Sequence, residues 1–216
     1  MKLSYQGIQD KAAFAAAGIE LPKFDWQAMC AATEKAPVWV HFGAGNIFRG
    51  FIAVLQQRLL NEDLATSGIV AAETFDYDII DKIYDPFDSM TLMVSLKPDG
   101  STDKEVIASI AKGIRADSSN AAQWEALKAC FVNPALQMAS FTITEKGYAL
   151  RDIKGDLMGV VTADMAEGPE KARHAMSVVA AMLYARFEAG AAPIAMVSMD
   201  NCSHNGEKLR SSVLTV

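Results

Sequence analysis

The residues that most clearly indicate a binding function are two glycines that follow a short apolar run. The run covers residues 38–42, and Gly43 and Gly45 come directly after it. Glycine at the first position permits a tight turn, and glycine at the second lets the backbone approach a bound group closely. N–H groups at the start of the next helix would then bind a phosphate. The pattern predicts a strand, a phosphate-binding loop and a helix, as in the first unit of a dinucleotide-binding fold.

The predicted phosphate-binding loop departs from the usual Gly-x-Gly-x-x-Gly pattern at its third position, where Phe48 stands. This departure indicates looser packing between helix and strand, or a different seat for the phosphate. Arg49 follows, and as a phosphate ligand it would compensate. The residues that we assign to cofactor binding in this loop are Gly43, Ala44, Gly45, Asn46, Ile47, Phe48 and Arg49.

A second apolar run, residues 69–73, ends in a carboxylate. The second strand of this fold offers an acid to the adenosine ribose at that place, and Glu73 is the first candidate. The interval from Gly45 exceeds the usual spacing of about 20 residues, so Asp76 and Asp78 stay open. Alternatively, these are solvated charges of a loop and a helix start. A carboxylate at the ribose would repel a 2′-phosphate, which predicts NAD rather than NADP.

Two polar segments follow later apolar runs. Loops at the carboxyl ends of parallel strands face the ligand crevice, so the first segment is expected to contact the cofactor or the substrate. Alternatively, its residues are exposed parts of a turn. It contains Thr144, Glu145 and Lys146. For side chains in the second segment, capping of the following helix is the alternative to a functional role. They are Asp200, Asn201 and Ser203.

Three blocks of sequence in this order resemble one family. They are His-Phe-Gly-Ala-Gly-Asn-Ile-Phe-Arg-Gly from His41, Thr-Ile-Thr-Glu-Lys-Gly-Tyr from Thr142, and Ser-Met-Asp-Asn-Cys-Ser-His-Asn-Gly from Ser198. From about Val38 onward, the chain is similar to the N-terminal Rossmann domain of the mannitol dehydrogenase family, the long-chain polyol and hexuronate oxidoreductases. The second block is most similar to fructuronate reductases (mannonate oxidoreductases), with a near variant in mannitol 2-dehydrogenases. The first block resembles mannitol-1-phosphate 5-dehydrogenases.

The resemblance implies NAD-dependent hydride transfer between nicotinamide and a polyol, ketose or hexuronate. In this family a C-terminal helical domain supplies the catalytic Lys, and we expect that domain to lie outside this chain. Asn201 matches an amide that stabilises the developing alkoxide, and Asn205 is the second candidate. A nucleotide-binding regulatory module without a reaction of its own is the alternative, because a Rossmann fold alone does not establish catalysis.

Composition narrows the classes of partner. The 216 residues are 51% hydrophobic and 21% charged, which is typical of a globular protein. A net charge of −6 argues against nucleic acid and acidic membranes as partners. The expected partner is a small sugar, with monomer and homo-oligomer both open, and the expected compartment is the cytoplasm because no secretory signal or spanning segment is evident. The three cysteines have no paired spacing, so neither disulfides nor a metal site is expected.

These observations predict an α/β fold with a doubly wound, mostly parallel Rossmann-type sheet and an added β-hairpin. Residues 1–37 are interpreted as an N-terminal extension, and residues 38–216 as the dinucleotide-binding domain. The hairpin is predicted at residues 91–96 and 105–108, around a Pro-Asp-Gly turn. Apolar spacing predicts three helices: one over 46–60 with Ile47, Phe51, Val54, Leu55 and Leu59 on the sheet, one over 121–131, and one over 170–189 with Phe187 inward and His174 exposed. Residues 155–168 are predicted to form an irregular connection.

Overall fold

The computed structural model describes residues 2–216 and contains two β-sheets with eight α-helices among those residues. The strands are β1 (Ile19–Glu20), β2 (Trp39–Phe42), β3 (Ile69–Glu73), β4 (Thr91–Leu96), β5 (Thr102–Ile107), β6 (Ile110–Arg115), β7 (Met138–Phe141) and β8 (Ala195–Ser198). The helices are α1 (Lys11–Ala16), α2 (Trp26–Lys35), α3 (Ala53–Asn61), α4 (Ala121–Val132), α5 (Thr144–Tyr148), α6 (Gly159–Glu167), α7 (Ala175–Glu188) and α8 (Asn205–Thr215).

The larger sheet has the order β6-β3-β2-β7-β8, and all of its pairings are parallel. Its central strands are continuous apolar runs because both faces are covered. β2 pairs with β3 on one side and with β7 on the other, so the strand order reverses at β2. Ligands of such sheets bind outside the carboxyl ends of the strands at this reversal. The predicted fold class is confirmed.

Alternate residues of the central strands feed two separate cores. One core contains Val40, Phe42, Val70 and Ala72 together with buried side chains of α4 and α7. The other contains Ile69 and Ala71 together with the segment before α3 and the turn at residues 80–84. The sheet therefore separates two hydrophobic layers, as the period of two along a strand requires.

The smaller sheet has the order β1-β5-β4. β4 and β5 form the predicted hairpin around the Pro-Asp-Gly turn, although β5 begins at Thr102 rather than at residue 105. β1 pairs in parallel with β5, and Phe14 and Ile19 share a third core with Val106 of that strand. Side chains between Leu3 and Trp26 thus pack with the hairpin layer, so this part of the predicted N-terminal extension belongs to the folded structure.

The predicted sheet-facing side of the helix after the glycine loop is wrong. Ile47 and Phe51 are 70% and 62% exposed, Leu55 and Leu59 are also exposed, and only Val54 of the predicted set is buried. The helix opens with a π-helical turn at Phe48–Ile52, and its buried side includes Gln56 and Gln57. These amides bond the carbonyls of Ser67 and Val106, and Gln57 also accepts from the Ala108 N–H. Satisfied polar groups can be buried, and a pattern of apolar residues alone cannot detect them.

Further differences concern the outer elements. β6 was not predicted, because Lys112 and Gly113 interrupt its apolar pattern. Residues 159–167, predicted as irregular, form α6, and Asp164 of that helix is buried. The next helix begins only at residue 175, where the His174 imidazole accepts from the Met176 N–H rather than lying exposed. Phe187 is 65% exposed rather than inward.

Candidate functional site

All of the predicted site segments meet at one edge of the larger sheet. Gly43 follows β2, Glu73 ends β3, Thr142 follows β7, and Asn201 follows β8 by three residues. Because these strands are parallel, their carboxyl ends share the same edge. β2 and β8 are two strands apart, which corresponds to about 10 Å. The glycine loop and Asn201 therefore lie on the same side of the fold.

The two glycines of the loop serve different purposes. Gly43 has a φ of 101°, and a Cβ there would lie 2.2 Å from the carbonyl oxygen of Thr142. This close passage of two backbones requires glycine. A Cβ at Gly45 would meet nothing within 4 Å. The open space above Gly45 is what close approach by a bound group needs, so the loop fits a dinucleotide diphosphate.

The peptide groups of Ala44 are fixed at both ends of the residue. Its N–H donates to Glu73 Oε2 at 2.9 Å. Its carbonyl accepts from Arg49 Nη1 at 2.7 Å and from Tyr84 Oη at 3.0 Å. Burial raises the pKa of the Tyr84 phenol, so this donor keeps its proton. The loop is thus held rigid by side chains from β3 and two helical turns.

Arg49 directs its guanidinium at the loop itself. It is buried, and besides Ala44 it bonds Asn46 Oδ1 at 2.5 Å. Its central carbon lies 5.9 Å from the centre of the Tyr84 ring. The contact with phosphate that the sequence suggested stays a prediction. In this structure Arg49 and Asn46 shape the loop, while Ile47 at the first helical turn is exposed.

Glu73 is the one of the three predicted carboxylates that touches the loop. Besides Ala44, it accepts through Oε1 from the N–H groups of Thr74 at 3.0 Å, Phe75 at 3.0 Å and Asp76 at 3.3 Å. The side chains of Asp76 and Asp78 are exposed, and Asp78 pairs with Lys82 at 2.6 Å. A role of Glu73 at the ribose stays a prediction. It would use Oε2, which accepts only one hydrogen bond, whereas Oε1 accepts three.

Phe48 does not line the crevice. It is fully buried, and its ring stacks on His41 with centroids 4.2 Å apart and planes 7° apart. The helix begins at Phe48 with a π-helical turn, and the expected looser packing of helix and strand stays a prediction. A contact between the Phe48 side chain and a cofactor is therefore not supported by this geometry.

Sequence reasoning missed a chain of hydrogen bonds beneath the loop. Trp39 Nε1 donates to Ser140 Oγ at 2.6 Å, and Ser140 Oγ lies 2.6 Å from His41 Nδ1. His41 Nε2 lies 2.8 Å from Thr142 Oγ1, which donates to the Gly43 carbonyl at 3.4 Å. Burial lowers the pKa of His41 to about 3, so the ring is neutral. With Ser140 donating to Nδ1, Nε2 carries the proton.

The buried His41 makes folding stability depend on pH. The unfolded chain takes up a proton near pH 6.5, whereas the folded chain does so only near pH 3. Since the unfolded state binds more protons in between, stability falls as the pH drops, by about 3 kcal/mol between pH 7 and pH 4. Urea unfolding of the wild type and of His41→Gln at both pH values checks this. The variant is expected to be less stable at pH 7 and to lose about 3 kcal/mol less.

The control for this measurement is His204→Asn. His204 is exposed and has a φ of 55°, which asparagine tolerates. Because this variant keeps His41, it should retain the loss of stability of about 3 kcal/mol between pH 7 and pH 4. An equal pH dependence in His41→Gln and the wild type would contradict the assignment of a neutral, buried His41.

The segment after β7 is a short helix rather than the predicted loop. Thr144 opens it with a φ of 63°, and its N–H donates to Asp200 Oδ1 at 3.1 Å. Glu145 forms an ion pair with Lys208, and Lys146 is exposed. A cavity of about 450 Å³ opens beside this pair, between α5 and α8. Cofactor contacts by these three residues stay predictions.

The two asparagines after β8 differ in their surroundings. The side chain of Asn201 is exposed at the carboxyl edge. Asn205 is bonded internally, because its Nδ2 donates to the carbonyls of Ser198 at 3.3 Å and Asp200 at 2.9 Å. α8 begins after His204, so the predicted capping by Asp200, Asn201 or Ser203 is wrong. Only Asn201 has its amide available for a ligand, whereas Asn205 shapes the loop.

Two further absences concern the described part of the chain, residues 2–216. In that range no three His, Cys, Asp or Glu side chains gather around a position for a metal ion. The same residues contain no helix that is both long and apolar enough to cross a bilayer. Cys30, Cys130 and Cys202 are free thiols.

The fold and this edge define a domain of the Rossmann class. The family profile described as mannitol dehydrogenase Rossmann domain matches residues 37–216. The chain belongs to the mannitol dehydrogenase family. Over 213 residues it is 48% identical to D-mannonate oxidoreductase of Thermotoga maritima, and the match covers 99% of this chain and 39% of that protein.

More distant relatives share the same region. Polyol:NADP oxidoreductase of Gluconobacter oxydans is 29% identical over 203 residues, which cover 92% of this chain and 40% of that protein. A Pseudomonas fluorescens mannitol 2-dehydrogenase, solved as a ternary complex with NAD and D-mannitol, has a TM-score of 0.80 at 23% identity over 99% of this chain and 42% of that one. The chain thus spans about two fifths of the length of these relatives.

Proposed function

We propose that this chain is the cofactor-binding domain of an NAD-dependent oxidoreductase that interconverts mannonate and fructuronate, or a polyol and its ketose. The catalytic Lys would come from a further helical domain, as the resemblance implies. The single observation that carries the proposal is the shared edge: a rigid glycine loop with open space over Gly45 lies on the same side of the sheet as the exposed amide of Asn201.

Each candidate residue of this chain would bind a different part of the dinucleotide or of the substrate. The N–H groups of Gly45, Asn46 and Ile47 lie at the start of the helix, where no carbonyl of an earlier helical turn can accept their hydrogen bonds. They would hold the diphosphate. Glu73 would accept from the adenosine ribose. The nicotinamide, when bound, supplies the group that gives or takes a hydride. Asn201 would donate its amide N–H to the substrate oxygen, where negative charge grows in the reduction of a carbonyl.

The preferred substrate class follows from the relatives. The chain shares 48% identity with a protein named D-mannonate oxidoreductase, and substantially less with relatives named for polyols. We therefore place mannonate and fructuronate ahead of mannitol and of sugar phosphates. Identity over one domain supports this order, and a substrate screen tests it.

The preference for NAD depends on Glu73. Its carboxylate is anchored at the end of β3, where a 2′-phosphate would meet a negative charge. NAD is expected to bind about tenfold or more tightly than NADP, and Glu73→Gln should narrow that ratio. Calorimetric titration of both dinucleotides into both proteins checks this. Tighter binding of NADP by the wild type would reject the assignment.

The activity itself is tested with the full product of the gene. We expect NAD-linked oxidation of mannonate and NADH-linked reduction of fructuronate, with tagaturonate, mannitol and sugar phosphates as competing substrates in the same screen. Dinucleotide binding without turnover of any of these compounds would favour a regulatory module. Absence of dinucleotide binding would contradict the proposal altogether.

A further inference from the structure

One carboxylate joins the segments that follow β7 and β8. Asp200 Oδ2 accepts from the N–H of Ile143 at 3.0 Å, and Oδ1 accepts from the N–H of Thr144 at 3.1 Å. Ile143 and Thr144 lie at the start of α5, 57 and 56 residues earlier in the chain. Hydrogen bonds to an ionised acceptor are stronger than those between neutral groups. Asp200 therefore provides a firm tie between two neighbouring loops at the carboxyl edge.

The hydrogen bonds of Asp200 include one to a residue with a strained backbone, Thr144. Thr144 has a φ of 63°, a left-handed conformation that is strongly disfavoured for a β-branched side chain. Such conformations persist where the surroundings over-determine them, and they cluster at binding sites. Here the N–H of the strained residue itself is bonded to Asp200. The geometry of the loop after β7 thus depends on a side chain from the segment that follows β8.

A phenol completes the arrangement around the carboxylate. Tyr148 Oη donates to Asp200 Oδ2 at 2.7 Å and lies 2.8 Å from Ser198 Oγ. Burial raises the pKa of this phenol, and the adjacent charge of Asp200 raises it further, so the proton stays available for donation. The backbone carbonyl of Asp200 accepts from Asn205 Nδ2 and from the Cys202 N–H, both at 2.9 Å. Both the side chain and the backbone of Asp200 are fixed.

The part of the carboxyl edge formed by β7 and β8 would hold the nicotinamide half of the cofactor. Glu73 and the diphosphate loop belong to the β2 and β3 side, so the nicotinamide half would lie over β7 and β8. We propose that Asp200 is a positioning residue that orients Asn201 and the Thr144 segment around the nicotinamide half, without itself touching the reacting atoms. This inference rests on the proposed function and gives Asp200 a role other than the helix capping that the sequence suggested.

The test separates the two halves of the cofactor by using two ligands. ADP-ribose lacks the nicotinamide, and NADH carries it. In the full product of the gene, Asp200→Asn keeps the side-chain size but turns an acceptor into an NH2 group facing N–H donors. We expect the Kd of NADH to rise about 5- to 10-fold, and the Kd of ADP-ribose to stay within about twofold. Asp156→Asn, at an exposed carboxylate of another loop, is the matched control and should change neither Kd.

A second variant removes the strain instead of the tie. Glycine adopts a φ of 63° without cost, so Thr144→Gly makes the segment less dependent on Asp200. In the double variant with Asp200→Asn, the affinity for NADH should recover by about threefold relative to Asp200→Asn alone. A residue needed only for general stability would show no such recovery. Thermal unfolding of each variant reports whether the fold is intact.

Several outcomes would overturn the inference. Equal weakening of NADH and ADP-ribose would make Asp200 a residue of the general fold. Unchanged affinity for both ligands in Asp200→Asn, or no recovery in the double variant, would remove the positioning role. Failure of the wild type to bind either ligand is a separate result, because it would overturn the proposed function and this inference with it.

Discussion

Replacing Gly43 with alanine is expected to destabilise the fold by about 2–4 kcal/mol and to weaken NAD binding more than about 100-fold. The reason is local: the residue has a φ of 101°, and the added methyl would lie 2.2 Å from the Thr142 carbonyl oxygen. Either the turn or the contact between β2 and β7 must give way. Urea unfolding and calorimetric titration of NAD measure the two effects.

Gly45→Ala is the matched control for this prediction. A methyl there meets nothing within 4 Å, so stability should change by less than about 1 kcal/mol. NAD binding should nevertheless weaken by about tenfold or more, because the methyl fills the space that the diphosphate needs. A Gly45→Ala protein that binds NAD as well as the wild type does would contradict the assignment of this loop to the diphosphate.

Replacing Asn201 with alanine is expected to lower kcat by roughly 100- to 1000-fold while the Kd of NAD changes less than threefold. The exposed amide would act on the substrate oxygen only as negative charge develops there, so its loss affects the reaction more than the binding. Steady-state kinetics of the full gene product with mannonate and fructuronate, together with NAD titration, separates these effects.

Asn205→Ala supplies the contrast. Its loss leaves the carbonyls of Ser198 and Asp200 without their side-chain donor, so unfolding should become easier by about 1–2 kcal/mol. Asn201→Ala should leave stability unchanged. A kcat of Asn201→Ala within threefold of the wild type would reject its role at the substrate oxygen.

The sequence predicted the sheet well because its evidence is local and repeated. Buried parallel strands such as β2 and β3 are continuous apolar runs, and glycines or carboxylates mark where they end. The order of three blocks identified the family, which the match over residues 37–216 confirms. The position of the candidate residues at one edge follows from the parallel topology.

The details of the site depended on contacts between distant residues. Nothing adjacent in sequence indicates that Glu73 bonds the N–H of Ala44, or that Asp200 bonds the N–H of Thr144. The buried side of α3 was predicted wrongly because Gln56 and Gln57 find carbonyl partners from other elements. Phe48 was assigned to the cofactor from its place in the motif, yet it packs on His41. Tertiary contacts decide which buried polar groups find hydrogen-bond partners. The sequence pattern does not show these contacts.

One dinucleotide is proposed to span the carboxyl edge of the sheet from the glycine loop to Asn201. A crystal structure of the protein with NAD tests it most directly. We expect the diphosphate within hydrogen-bonding distance of the N–H groups of Gly45, Asn46 or Ile47, the adenosine ribose at Glu73, and the nicotinamide on the β7 and β8 side, near Asn201. A dinucleotide bound in the opposite direction, or away from this edge, would contradict this binding mode.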